Sequence, residues 1–324
     1  MPRTPQPPPL DGILVVNKPS GKTSHDIVES VRRIVGFRQI GHLGTLDPLA
    51  TGVLVLALGR ATRLARFYSG RRKRYSCAVR FGFATDTYDA DGDPLGEDSA
   101  PTLDAEQIAA LAAQFVGKIE QMPPSFSAKK IRGRPAHELA RKNKPVKLEA
   151  VGVEVFEFRL TEVEGSVARF VVECGSGTYI RSLAHDLGKL HGAGAHLAEI
   201  SRTAVGEFTL DQAVPLAELE HDAKAGRIAE RVIALESMLP DLPRATVLPI
   251  IEKRVRHGAK FNLSLAQIQP GQTTAAQGAP AQLDSGEWKP ARLRVFSQQG
   301  QLIAIAEPVV PRTYQPLVVL EVAP

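Results

Sequence analysis

The sequence predicts an α+β protein built in two parts, and three observations predict it. Through the first 240 residues, short apolar runs rich in β-branched side chains alternate with capped helical segments. From Ala245 onward short strands dominate, and no helix-rich region follows. The length of 324 residues suits roughly two domains, and a composition that is 43% hydrophobic and 23% charged can bury a core in each.

Residues 1–10 form a proline-rich lead-in that lacks the apolar stretch of a signal peptide. Gly12-Ile13-Leu14-Val15-Val16-Asn17 predicts a buried strand, and Lys18-Pro19-Ser20-Gly21-Lys22 breaks it with turn residues. Thr23 to Asp26 has the Ser/Thr-x-x-Asp/Glu form of a helix start; Ile27, Val31, Ile34 and Val35 follow at helical spacing, and Gly36 stops them. A glycine-rich loop, residues 41–52, leads into the apolar run 53–58. Residues 61–69 predict a short basic helix, and four consecutive cations, Arg71 to Arg74, open the next strand. An acidic turn spans 85–93, and a helix over 103–115 places Ile108, Leu111 and Phe115 on one face.

Residues 151–160 and 167–174 predict paired strands, after which Gly175-Ser176-Gly177 turns the chain into a helix carrying Ile180, Leu183, Leu187 and Leu190. A strand at 205–210 and peripheral helices over 216–239 precede a proline-bearing linker at 239–244. In the last part, 292–296, 302–306 and 317–322 predict strands. The polar stretch 264–287 between the first elements of this part and those strands predicts a flexible insertion.

Lys and Arg number 40 against 35 Asp and Glu, a net charge of +5 whose distribution matters more than its size. Residues 127–147 hold Lys129, Lys130, Arg132, Arg134, Arg141, Lys142, Lys144 and Lys147 against Glu138 alone. With Arg71 to Arg74, they suggest either a phosphate-binding surface or a solvated face. Two distant cysteines without CxxC spacing argue against a disulfide framework or zinc knuckle and suit a reducing cytoplasm. No run of 18 apolar residues occurs, so no membrane span is expected. P-loop, GxGxxG, HExxH and nucleophile-elbow patterns are absent. The acidic turn departs from a calcium loop, because Thr87 falls where an Asp is needed.

What remains is a loop carboxylate among arginines and tyrosines. Asp47 sits in Gly41-His42-Leu43-Gly44-Thr45-Leu46-Asp47-Pro48-Leu49-Ala50-Thr51-Gly52, where Pro48 restrains the backbone. Alone, this stretch reads first as a tight turn with an exposed Asp. Arg181, at a helix start, could keep such a carboxylate ionised. Tyr75, directly after four cations, could stack on a base or be a half-buried strand tyrosine. A single carboxylate, an aromatic platform, basic patches and no cofactor motif suit chemistry on a nucleobase that needs no external reagent.

The loop motif closely resembles that around the catalytic aspartate of the pseudouridine synthases, specifically the bacterial tRNA pseudouridine-55 synthases of the TruB type. Five further segments match in order: Asn17-Lys18-Pro19 with Gly21 and Thr23-Ser24; Lys73-Arg74-Tyr75; Thr85-Asp86-Thr87 through Asp89-Ala90-Asp91-Gly92; Ser127-Ala128-Lys129-Lys130; and Gly177-Thr178-Tyr179-Ile180-Arg181. The resemblance implies a catalytic domain over 11–240 around a largely antiparallel mixed sheet, with a small, mainly-β PUA-like domain over 245–324. It implies isomerisation of one uridine in the TΨC loop of tRNA by a cytoplasmic enzyme, a monomer that needs neither cofactor, metal nor guide RNA.

Carried over by residue, it makes Asp47 the catalytic carboxylate. Tyr75 would stack on the uracil, Arg181 pair with Asp47, and Asp91 and Tyr179 contact the flipped nucleotide. His42 would occupy or help vacate the base's place, Lys18 would belong to the substrate-binding set, and Lys129, Lys130 and Arg132 would meet the RNA backbone. Leu43, Phe126, His137 and Ser176 depart from the family's usual pattern.

Overall fold

The computed structural model describes residues 10–124, 130–131, 134–135, 149–272 and 292–320. Leu14 and Val16 of the strand Gly12–Lys18 (β1) face one apolar core, whereas Ile13 and Val15 between them face another. The strand Thr51–Leu58 (β2) repeats this, with Leu54, Leu56 and Leu58 on the first side and Val53, Val55 and Ala57 on the second. Both faces of the sheet are covered here, which is why these strands read as unbroken apolar runs.

The helix Ser24–Val35 (α1) lies on the first face. Its start is a closed capping box: Thr23 Oγ1 accepts the Asp26 N–H at 3.1 Å, and Asp26 Oδ2 accepts the Thr23 N–H at 2.9 Å. Gly36, at φ 75°, ends it. Ile27, Val28, Val31 and Val35 are buried against the sheet, each contributing about 1.5–3 kcal/mol of apolar burial. Instead of the expected basic helix over 61–69, a 3-10 helix spans Gly59–Phe67 on the second face.

The sheet continues through Lys73–Phe81 (β3), Gly117–Gln121 (β4), Val151–Glu164 (β5), Val167–Cys174 (β6) and Ala195–Val205 (β7), in the order β1-β2-β7-β3-β6-β5-β4. Neighbours are antiparallel except β2 with β7, and β1 with the outlying Val214–Pro215. Helices Ala105–Ala113 (α2), Ile180–His191 (α3) and Leu216–Lys224 (α4) join α1 on the first core. Leu190, expected on the inner face of α3, is 52% exposed.

Central strand β7 is not legible in the sequence, whose pattern predicts a strand only over 205–210. Two bulges against β3, at Leu197/Glu199 and Arg202/Ala204, break the alternation that would have announced it. The chain then folds back at Gly206, and Phe208–Thr209 pairs with the end of β7.

The second sheet runs Phe261–Asn262, Thr313–Val319 (β11), Leu302–Val310 (β10), Leu293–Phe296 (β9), Arg244–Thr246 (β8) and Ile268–Gln269. A helix, Pro249–Arg256 (α5), also belongs to this part. The start of the expected insertion is therefore built in: a 3-10 turn at Leu265–Gln267 leads into Ile268–Gln269, which pairs with β8. Residues 273–287 of that stretch lie outside the described residues.

Phe296, Leu302, Ile305 and Leu320 share the second core with Tyr68, Met238 and Leu239, so the two sheets are packed together. The expected linker at 239–244 is fastened, not loose. Leu239 is buried, its N–H donates to Tyr68 Oη at 3.0 Å, and Arg294 gathers the carbonyls of Met238, Pro240 and Leu242. Among the described residues no helix is long and apolar enough to cross a membrane.

Candidate active site

The loop between Ile40–His42 and β2 carries Asp47, and two buried cations hold it from behind. Lys18 Nζ donates to the carbonyls of Pro48 at 3.0 Å, Ala50 at 2.6 Å and Pro19 at 2.9 Å, which uses all three of its protons. Arg202 donates from Nη2 to Gly44 O and from Nη1 to Thr45 O, both at 3.1 Å, and from Nε to Val53 O at 2.8 Å. Ser24 Oγ adds a reciprocal pair with the backbone of Leu46, accepting its N–H at 2.8 Å and donating to its carbonyl at 3.1 Å. Gly52, at φ +93°, lets the loop pass against β7: a Cβ there would lie 2.3 Å from the Arg202 carbonyl oxygen. Nearly every turn of the loop is thus tied to a rigid strand or helix, which is what holding a side chain to within fractions of an ångström requires.

Asp47 projects from this frame into a cleft of about 430 Å³. Its carboxylate remains 47% exposed, and Oδ2 lies 3.0 Å from Nε of Arg181. Arg181 is 7% exposed and opens α3, where the glycine turn of 175–177 delivers it. Its Nη1 also reaches Asp89 Oδ2 at 3.3 Å and donates to Thr87 O at 3.2 Å. One guanidinium therefore spans two carboxylates, one half-open to the cleft and one buried behind it. Tyr179 is fixed through its backbone: buried Gln121 accepts its N–H at 2.8 Å and donates to its carbonyl at 3.0 Å.

His42, Lys73, Tyr75, Tyr179, Ser176, Ile200 and Arg202 also line the cleft. Burial pushes the Tyr75 phenol up to about 12, against the opposing charge and hydrogen bond of Arg202, so the phenol is neutral near pH 7. Burial, then the Arg202 charge, lowers His42 and Lys73 from their ordinary values. Lys18 is brought down to about 8 by burial, which outweighs the upward pull of Asp47.

The structure brings together Asp47, Tyr75, Tyr179, Arg181 and His42 around one cleft. It does not bring Lys18 or Asp91 there. Lys18 is fully buried beneath the loop, with every proton committed to a carbonyl. Asp91 is exposed at the tip of the acidic turn, where its N–H donates to Asp89 Oδ1 at 3.2 Å. The turn is anchored to β7 by the Ala90 N–H to Leu197 O and the Leu197 N–H to Tyr88 O, both 3.0 Å, and this register turns Asp89 inward instead.

Lys129, Arg132, Phe126 and His137 lie outside the described residues; Lys130 is described only as backbone in the short strand Lys130–Ile131, paired with Arg134–Pro135. Leu43 is buried in the second core, and Ser176 sits on the cleft wall. Sequence reasoning missed Asp89, Gln121 and Arg202 as site residues. Asp89 shares the acidic turn already singled out. Nothing in the pattern marks Gln121, and Arg202 was hidden with its strand.

Residues 32–180 match the profile described as the TruB family pseudouridylate synthase N-terminal domain, and residues 181–249 that of the tRNA pseudouridylate synthase B C-terminal domain. Proteins named tRNA pseudouridine synthase B are similar over most of their length. That of Solibacter usitatus is 43% identical over 311 residues, covering 96% of this chain and all of its own. That of Geobacillus thermodenitrificans is 40% identical, covering 78% of this chain and 86% of its own. The shape resembles a chain of a Cbf5-Nop10-Gar1 complex, with a TM-score of 0.70 at 23% identity over 96% of this chain and 85% of that one. A chain of an H/ACA RNP bound to a substrate RNA gives 0.71 at 22% identity, over 97% and 86%. Fold and sequence agree: the chain belongs to the TruB family of pseudouridylate synthases.

Proposed function

We propose that the protein converts uridine to pseudouridine at position 55 in the TΨC loop of tRNA, with Asp47 acting on a nucleotide flipped into the cleft. The observation that carries this reading is the half-exposed Asp47 carboxylate held 3.0 Å from a buried Arg181 on a loop that two buried cations immobilise. The relatives are named for tRNA as substrate, and the cleft is large enough for a nucleobase with its ribose.

In the reaction the N1–C1′ bond breaks, the uracil turns, and a C5–C1′ bond forms. The proton leaves C5 and N1 gains one, so the sum of atoms is unchanged. Attack at the sugar, attack at the base and removal of a sugar proton all require an ionised carboxylate inside the cleft, and Arg181 places a positive charge beside it. Tyr75 offers a ring for stacking on the uracil, and as a neutral phenol it can relay the proton that leaves C5. Tyr179 and His42 flank the everted nucleotide, and Asp89 braces Arg181 from behind the cleft. Extruding a base costs a few kcal/mol, less from a loop than from a duplex.

Lys129, Lys130 and Arg132 serve the RNA backbone in this reading, and the six-stranded sheet acts as a PUA-like RNA-binding module. Purified protein incubated with an unmodified tRNA transcript, without guide RNA or cofactor, tests the proposal. Pseudouridine mapped to position 55 supports it; pseudouridine elsewhere, or none, overturns it.

A further inference from the structure

Tyr88 has φ 66°, a left-handed conformation that is unfavourable for any residue bearing a Cβ. It stands between two residues that both bind Arg181, namely Thr87 through its carbonyl and Asp89 through its carboxylate. Its ring is stacked on the imidazole of His185, with centroids 3.8 Å apart and planes 16° from parallel. Arg181 and His185 are four residues apart on α3 and so share a helix face.

The helix therefore grips the acidic turn at two successive points. The guanidinium takes Thr87 and Asp89, and the imidazole takes the ring of the residue between them. His185 Nδ1 is buried without a hydrogen-bond partner among the described residues, so packing and not polar bonding keeps that side of the ring in place. Neither Tyr88 nor His185 lines the cleft. A strained residue persists only where its surroundings over-determine it, and here the surroundings are the stack and the bond that the Tyr88 carbonyl accepts from the Leu197 N–H of β7.

We propose that the Tyr88–His185 stack is a positioning device for the Asp47–Arg181 pair: it holds the acidic turn in its strained conformation, keeps Asp89 on Arg181, and thereby aims the guanidinium at Asp47. This rests on the reading of Asp47 as the catalytic carboxylate. Small displacements of such a group are costly in rate and leave binding of the rest of a large substrate untouched.

Steady-state kinetics on an unmodified tRNA transcript test it with His185→Ala, His185→Phe, Tyr88→Gly, Asp89→Asn and the His185→Ala/Asp89→Asn double variant. His185→Ala lowers kcat about tenfold with KM within about twofold of the parent. His185→Phe restores most of that loss, because a flat ring is all the stack uses. Tyr88→Gly relieves the backbone strain, so it keeps its thermal midpoint, yet it shares the fall in kcat. In the Asp89→Asn background His185→Ala costs nothing more, since the stack acts through Asp89.

A parental kcat in His185→Ala or Tyr88→Gly overturns the proposal, as does a His185→Phe enzyme no better than His185→Ala. Full additivity of His185→Ala with Asp89→Asn overturns it too. Failure of the underlying reading shows elsewhere, as activity retained by Asp47→Asn.

Discussion

Nε of Arg181 lies 3.0 Å from Oδ2 of Asp47 while Nη1 of the same guanidinium lies 3.3 Å from Oδ2 of Asp89. The two carboxylates differ in setting, one 47% exposed at the cleft and one 8% exposed behind it. Only a planar fork with separated donors can serve both at once. Lysine keeps the charge but presents it at one point.

Arg181→Lys is accordingly expected to lower kcat about 10- to 100-fold, which is about 1.4–2.7 kcal/mol of transition-state stabilisation. Single-turnover rates with saturating tRNA measure it. A rate within twofold of the parent would show that charge alone suffices.

Arg202 is the bulkiest of the fully buried side chains among the described residues and bonds three carbonyls from Gly44 to Val53. Arg202→Ala strands those acceptors and is expected to cost about 3–5 kcal/mol. Gly52→Ala attacks the same contact from the other side, combining φ +93° with a Cβ 2.3 Å from the Arg202 carbonyl oxygen, and is expected to cost more than about 1 kcal/mol. Denaturant unfolding checks both. Unchanged midpoints would mean that the loop is not held as described.

Lys18 gives a pH dependence with a definite sign. Its pKa falls from 10.5 in the unfolded chain to about 8 in the fold, so between those values the unfolded state binds more protons and stability rises with pH. Below pH 8 the lysine is charged in both states and this contribution is absent. The stability difference between the parent and Lys18→Met should therefore shift in the parent's favour by about 2–3 kcal/mol from pH 7 to pH 10. Denaturant curves at the two pH values measure the shift, and a flat difference would contradict the assignment.

Much of the fold can be read from residues whose local physics is decisive. Thr23, Asp26 and Gly36 bracket α1 because caps satisfy backbone groups with near neighbours, and the observed box closes on those residues. β1 and β2 are legible because both of their faces are buried. β7 is not, because its two bulges destroy the period-two signal. The site divides in the same way. Asp47 and Arg181 belong to motifs compact enough to recognise, and the structure sets them side by side. Asp89 and Asp91 cannot be told apart in sequence, since their difference is created by a bridge to Leu197, more than a hundred positions away. The three carbonyls that surround Lys18 likewise leave no local mark in the sequence.

The most direct measurement is pseudouridine formation by Asp47→Asn on an unmodified tRNA transcript, alongside tRNA binding by the same protein. The substitution keeps size and shape at a half-exposed position, so folding and tRNA affinity should stay close to the parent. The account predicts no detectable pseudouridine at position 55 with binding retained. Pseudouridine formed at the parental rate would contradict it, and would remove Asp47 from the centre of the chemistry.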